Sequence, residues 1–373
     1  MPNQTLSDWV QAGPFTLALS PGFFGFYAQV GALQALSTVV DLLPGSSVYA
    51  CCGCSSGAIT ASFLAAGISV DAMERAVLKM QREHIWDLHL GRTGLLRGGK
   101  MVEHLDSVLS DLGASKTFED CRCPVGVTAF HLPKLRIEVL RSGPLSSALS
   151  ASACVPGLFS PVEHCGMWPL VDGAIGDPAG LAACPALPPA TGRILHVGFP
   201  GSIPGWRGVG HPSQLPQGLV FPAGGPCGGV DMISLVLDDT PTVSPFNMQT
   251  MGPVAVAATK AAVIAALTSP LGRAGNVILK ESNARAGHIG DVRSVDARHR
   301  TVIAKPPLPS RSFFRTALSF LLDEGEIGGS SDQQSSLSTS HGPDQRENGE
   351  TGGGMHSDLE GQSQCSSKRV RVI

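Results

Sequence analysis

The chain carries a single G-x-S-x-G stretch, Gly53-Cys54-Ser55-Ser56-Gly57, placed between an apolar run and a segment of helical composition. A serine held on a tight strand-to-helix turn projects its hydroxyl clear of the backbone. Flanking glycines remove Cβ atoms that would clash there. The helix start behind it offers N–H groups and a positive dipole end to developing negative charge. These are the requirements for nucleophilic attack by Ser55 on a carbonyl carbon. As a bare pattern in a chain with 45 glycines, the same residues also describe a glycine-rich turn feeding a helix.

Such a nucleophile needs a base. Asp172-Gly173, the one Asp-Gly pair, follows Trp168-Pro169-Leu170-Val171 and reads either as a hairpin turn or as a carboxylate presented at a strand end. A triad would add His196, which has the chain order Ser, Asp, His but sits within the apolar run ILHVGF. His164 precedes the acid in a loop. A Ser–Asp pair, in which the carboxylate takes the hydroxyl proton directly, competes with the triad. Ser20-Pro21-Gly22-Phe23-Phe24-Gly25 joins the first strand to the first helix, where backbone N–H groups can face an oxyanion. Its plainer reading is a tight turn. Cys121 and Cys123 form C-x-C without a second pair at zinc-ligand spacing, so no metal is expected. No organic cofactor is expected either.

The elements that must position these groups follow from pattern. Phe15–Leu19 and Val48–Cys52 read as buried strands, and Phe26–Leu36 as a helix whose Ala28, Gly31 and Ala32 permit close packing. Further helices are predicted over Ala58–Ala66, Asp71–Met80, Gly99–Leu112 and Ser146–Cys154. Val125–Phe130 and Leu135–Leu140 form a hairpin about His131-Leu132-Pro133-Lys134. Met167–Val171 leads as a strand into Asp172, and Ile194–Phe199 is another core strand. Alternating strands and helices predict an α/β sheet with helices on both faces. Pro200–Pro253, rich in Gly and Pro, reads as an irregular insertion. A helix is expected to start at Pro253 and run through Leu267, interrupted by Lys260 and short of the ~20 residues that span a bilayer. Ser312–Leu322 carries a helical apolar stripe, and from Gly325 the composition predicts a disordered tail. The expected organisation is one domain over 1–324, with its motifs in 15–200, and a tail over 325–373.

Composition bounds the partners. Hydrophobic residues make up 43% of the chain and charged residues 15%, as a globular interior requires. A net charge of −3 gives no electrostatic footing for nucleic acid. Cys51, Cys52 and Cys54 sit in an apolar run as small buried thiols do. Met1–Gly13 lacks the apolar core of a secretory leader. The expectation is therefore a reduced, cytoplasmic protein.

Taken together, four blocks resemble the patatin-like phospholipase family. LALSPGFFGFYAQVGALQAL resembles its strand, glycine loop and first helix, and YACCGCSSGAI its nucleophile elbow. KTFEDCRCPVGVTAF is similar to its Thr-Phe-Glu-Asp segment and following strand. SALSASACVPGLFSPV with PLVDGA resembles its A-S-x-x-x-P-x-x-F-x-P-V and D-G-[AG] blocks. The resemblance covers about Phe15 to Leu181. It implies a three-layer α/β/α domain and a Ser–Asp dyad without histidine, with Ser55 as nucleophile and Asp172 as general base. It places Gly22 and the Phe23 N–H at the oxyanion and Gly25, Gly53, Gly57 and Gly173 as motif glycines. The loop departs from the family pattern: Pro21, Phe23 and Phe26 replace glycines, and Gly25 stands where the basic residue would be.

The activity this implies is hydrolysis of fatty-acyl esters of phospholipids or glycerolipids at a membrane or lipid-droplet surface touched peripherally. Acyl transfer on the same dyad and a non-catalytic lipid-surface role are the alternatives. Lys368-Arg369-Val370-Arg371 at the chain end is a short basic run that could meet anionic lipid.

Overall fold

The computed structural model describes residues 4–89, 93–184, 187, 192–200, 220–222, 230–271, 275–282 and 293–305. The predicted helix over Ser312–Leu322, the tail from Gly325 and the basic run 368–371 lie outside the described residues.

The chain opens with α1 (Leu6–Gln11), whose Thr5 and Asp8 cap each other reciprocally. Then follow β1 (Phe15–Leu19), α2 (Phe26–Leu36), β2 (Val48–Cys54), α3 (Ser56–Ala65) and α4 (Val70–Lys79). Ser69 caps α4 by accepting the Ala72 N–H, and Asp71 sits in its first turn. After a 3-10 turn over Arg82–His84 come β3 (Gly94–Leu96), α5 (Gly99–Asp111), β4 (Val125–His131), β5 (Arg136–Leu140) and α6 (Leu145–Ser152). The second half of the described chain holds β6 (Gly157–Phe159), β7 (Val162–His164), β8 (Met167–Asp172) and β9 (Arg193–Gly198). It continues through β10 (Val220–Pro222), β11 (Val230–Leu237), α7 (Met248–Leu267), β12 (Gly275–Ser282) and β13 (Arg293–Ala304).

Eleven strands form one mixed sheet in the order β10-β12-β13-β11-β9-β1-β2-β4-β8-β7, with β5 also on β4. The stretch from β13 through β4 is parallel, and β5, β8, β7 and β12 run antiparallel to their neighbours. Alternate residues divide between the two faces. Leu17, Leu19 and Cys51 pack with the helices, while Ala18, Ala50 and Cys52 pack with Ala179, Leu181, Ala183 and Leu187. A mixed sheet with flanking helices is the three-layer α/β/α class expected.

Two expectations need correction. Pro200–Pro253 is not irregular throughout, because Val230–Leu237 is a buried strand inside the parallel run of the sheet. Its two polar residues have partners that permit this. Ser234 pairs with His196 in register and bonds its ring, and Asp231 accepts from the Trp9 indole and from Arg300. Nor does Pro253 open the following helix. The helix begins at Met248, so Pro253 lies within it and has no N–H to give the Gln249 carbonyl. With 20 residues, α7 is long and apolar enough to cross a bilayer by length and composition, but half of its most apolar window is buried in the fold. It lies against α2 at Gly31, where a Cβ would stand 2.3 Å from the Val256 carbonyl oxygen.

Candidate active site

Register on β4 brings the site together. Cys54 of β2 pairs with Thr128, and Asp172 of β8 pairs with Ala129, the next residue. Because β5 overlaps both partners along β4, β2 and β8 must share the opposite edge, one taking over where the other leaves. The end of each strand is therefore delivered to one point.

At that point Ser55 turns the chain from β2 into α3 with φ 53° and ψ −123°. This is a conformation that L-residues rarely adopt and that costs about 1–3 kcal/mol. Surrounding contacts hold it. The Ser55 N–H donates to Ser152 Oγ at 2.8 Å, and that hydroxyl donates to the Thr128 carbonyl at 2.7 Å. The Ser55 carbonyl accepts from Ala58 and Ile59 at 3.0 and 3.2 Å, starting α3. Both motif glycines are required by close approach: a Cβ on Gly53 would stand 2.5 Å from the Gly57 carbonyl, and one on Gly57 2.2 Å from Leu19 O. Gly173 is equally confined, its Cβ falling 2.4 Å from Thr128 O.

Ser55 Oγ donates to Asp172 Oδ2 at 2.8 Å. Asp172 Oδ1 accepts from the Ala174 N–H at 2.8 Å, and the Asp172 N–H donates to Cys154 O at 2.8 Å. Burial raises the carboxyl to about 6, against the bonds from Ala174 and Ser55, which favour the anion. A carboxylate poised there can hold or release a proton near neutral pH. Cys54, 4.0 Å from Asp172 Oδ1, stays a thiol because burial and the neighbouring carboxylate push it well up.

The histidines are used elsewhere. His196 is fully buried, with one ring nitrogen on Ser234 Oγ at 3.0 Å and the other on Ala179 O at 2.8 Å. His164 lies between Ser147 Oγ and Ser142 O at 2.8 and 2.9 Å, and burial lowers its pKa.

The loop after β1 is anchored by Ser20, which donates its N–H to Val197 O and accepts from Gln29 Nε2 and Phe199 N. Gly25 N–H closes a turn onto Gly22 O at 2.9 Å. A Cβ on Gly22 would meet the Phe199 ring at 2.8 Å, and one on Gly25 would meet that ring at 2.9 Å and Ser56 Oγ at 3.0 Å. Phe24 between them has φ 52°. Gly22, Phe23 and Gly25 thus lie in the turn leading into α2, and Gly25 packs against the residue that follows Ser55.

Three supporting residues had no role in the sequence reading. Ser152 ties the elbow to β4. Thr128 accepts from it and donates its own hydroxyl to Asp177 Oδ2 at 3.0 Å. Asp177 is buried and raised by burial, and it also accepts from the Leu181 and Ala182 N–H groups. Each is a polar residue within an apolar or small-residue run, which is the only sequence signal they leave. Among the described residues, no group of three or more His, Cys, Asp or Glu is placed to hold a metal ion.

The patatin-like phospholipase family model matches residues 17–184. NTE family proteins of Mycobacterium bovis and Mycobacterium tuberculosis are 31% identical over 168 residues, covering 44% of this chain and 44% of each relative. The match thus spans less than half of those proteins. The crystal structure of VipD from Legionella pneumophila aligns with a TM-score of 0.44 at 13% identity, covering 68% of this chain and 66% of that one.

Proposed function

With residues 17–184 forming a patatin-like phospholipase domain, a family that generally hydrolyses lipid esters, we propose that this chain is a serine acyl hydrolase of phospholipid or glycerolipid fatty-acyl esters, with Ser55 as nucleophile and Asp172 as base. The observation that carries the reading is the 2.8 Å hydrogen bond from Ser55 Oγ to a buried carboxylate, at an elbow held against its backbone preference.

Asp172 takes the hydroxyl proton as Ser55 Oγ attacks the ester carbonyl. The Gly22 and Phe23 amides stabilise the oxyanion, each such donor being worth about 2.7–4 kcal/mol. Gly25 is not assigned this role, because its N–H closes the turn onto Gly22 O. Collapse of the tetrahedral intermediate expels the alcohol, which takes the proton from Asp172. Water, deprotonated in turn by Asp172, then releases the fatty acid and restores Ser55. Engagement of His196 and His164 in the core favours the dyad over the triad. The substrate is met at a membrane or lipid-droplet surface by peripheral contact.

A fluorophosphonate probe tests the proposal. It should label the native chain and leave Ser55→Ala unlabelled. Equal labelling of both, or none of the native protein, would remove Ser55 from the chemistry.

A further inference from the structure

A crevice of about 370 Å³ opens between α2, α3, α4 and α5. Its wall includes Phe26, Ile59, Phe63, Met80 and His104, and it is apolar apart from the imidazole. Two features tie it to the nucleophile. Ile59 stands four residues after Ser55, bonded through its N–H to the Ser55 carbonyl at 3.2 Å, so the wall begins one helical turn from the serine. Phe26 opens α2 immediately after the glycine turn. Between them run aromatic rings in succession: Phe23 to Phe24 with centroids 5.0 Å apart, and Phe24 to Phe26 at 5.6 Å.

These rings lie where the sequence departs from a glycine-rich loop. Glycines at 23 and 26 would leave the turn bare, whereas phenylalanines pave the way from the Ser55 turn into the crevice with apolar surface. The imidazole does not spoil it. Burial and the stacked His84 ring, 4.5 Å away, lower His104 to about 4, so the wall carries no charge at neutral pH.

We propose that this crevice, entered along Phe23, Phe24 and Phe26, seats the acyl chain of the ester attacked by Ser55. The inference rests on the hydrolase reading and adds a chain-binding subsite to it. A crevice that is merely an imperfect fit of four helices would confer no chain-length preference.

The experiment measures kcat/KM for monomeric p-nitrophenyl esters from acetyl to dodecanoyl, on the full chain and on Ala76→Phe. Ala76 lines the same crevice from the half-buried side of α4, so the added ring projects into open space. In the native protein, kcat/KM should rise about fourfold per methylene, the value of one buried CH₂ group, and level off once the crevice is full. Ala76→Phe should bring the plateau to shorter chains and lower the dodecanoyl-to-acetyl ratio at least tenfold. A flat profile in the native protein, or a rise that Ala76→Phe leaves unmoved, overturns the crevice while the hydrolase stands. Failure to hydrolyse any of the esters overturns both.

Discussion

Replacing Asp172 with asparagine should abolish activity and make the protein more stable. The carboxyl is buried and holds its proton up to about 6 when folded, whereas an unfolded aspartate ionises near about 3.9. Well below 3.9 both states are protonated and burial carries no penalty. As pH rises from about 3.9 to about 6, the unfolded chain releases the proton first, so stability falls; above about 6 the loss is constant. Integrated, it amounts to about 3 kcal/mol at pH 7.5 and about 1 kcal/mol at pH 4.5. Asparagine keeps an acceptor for the Ala174 N–H, can donate to Ser55 Oγ, and has nothing to ionise. Urea unfolding followed by tryptophan fluorescence, on both proteins at both pH values, should show Asp172→Asn more stable by about 3 and about 1 kcal/mol respectively. Ester hydrolysis, assayed on the same samples, should be lost. A variant no more stable than the native protein at pH 7.5, or one whose gain ignores pH, would refute the argument that burial sets this group.

The same carboxyl sets the activity profile: kcat/KM should fall about tenfold per pH unit below about 6, read with a short soluble ester. A profile level down to pH 4.5 would contradict Asp172 as base. Ser152→Ala should orphan the Ser55 N–H, lowering stability by about 1–3 kcal/mol and kcat on the order of 10–100-fold, with partial recovery in Ser152→Thr. Gly22→Pro removes a proposed oxyanion donor and should reduce activity at least ~100-fold on a p-nitrophenyl ester. Full activity in a folded Gly22→Pro protein would place the oxyanion elsewhere. Gly57→Ala should destabilise the fold by several kcal/mol in thermal unfolding, because the Leu19 carbonyl occupies the space its methyl needs.

What could be read in the sequence was local. Phe26–Leu36 was bounded by its own periodicity, and the first strands by apolar runs closed with glycine. Ser55 stood out because its neighbours had to be small. Val230–Leu237 was hidden because Asp231 and Ser234 interrupt it amid glycine and proline. Only a remote partner makes each tolerable: Trp9 and Arg300 for the one, His196 for the other. Ser152, Thr128 and Asp177 escaped for the same reason. A hydroxyl in a small-residue helix or strand has no meaning until its acceptor, tens of residues away, is in place. The α7 start was missed because proline was read as a beginning, although the preceding turn from Met248 already forms helix.

The end-to-end meeting of β2 and β8 on one edge of β4 also fixes when the protein can act. Ser55 and Asp172 are 117 positions apart, and neither segment contains the other's partner. A ribosome that has made the elbow has made nothing reactive until it has also delivered β4 and β8 and these have paired in register. A slip of one residue would turn Asp172 to the far side of the sheet. The appearance of esterase activity during refolding should therefore lag helix formation and coincide with closure of the β4–β8 pairing, so that hydrolysis itself serves as a clock for that long-range step.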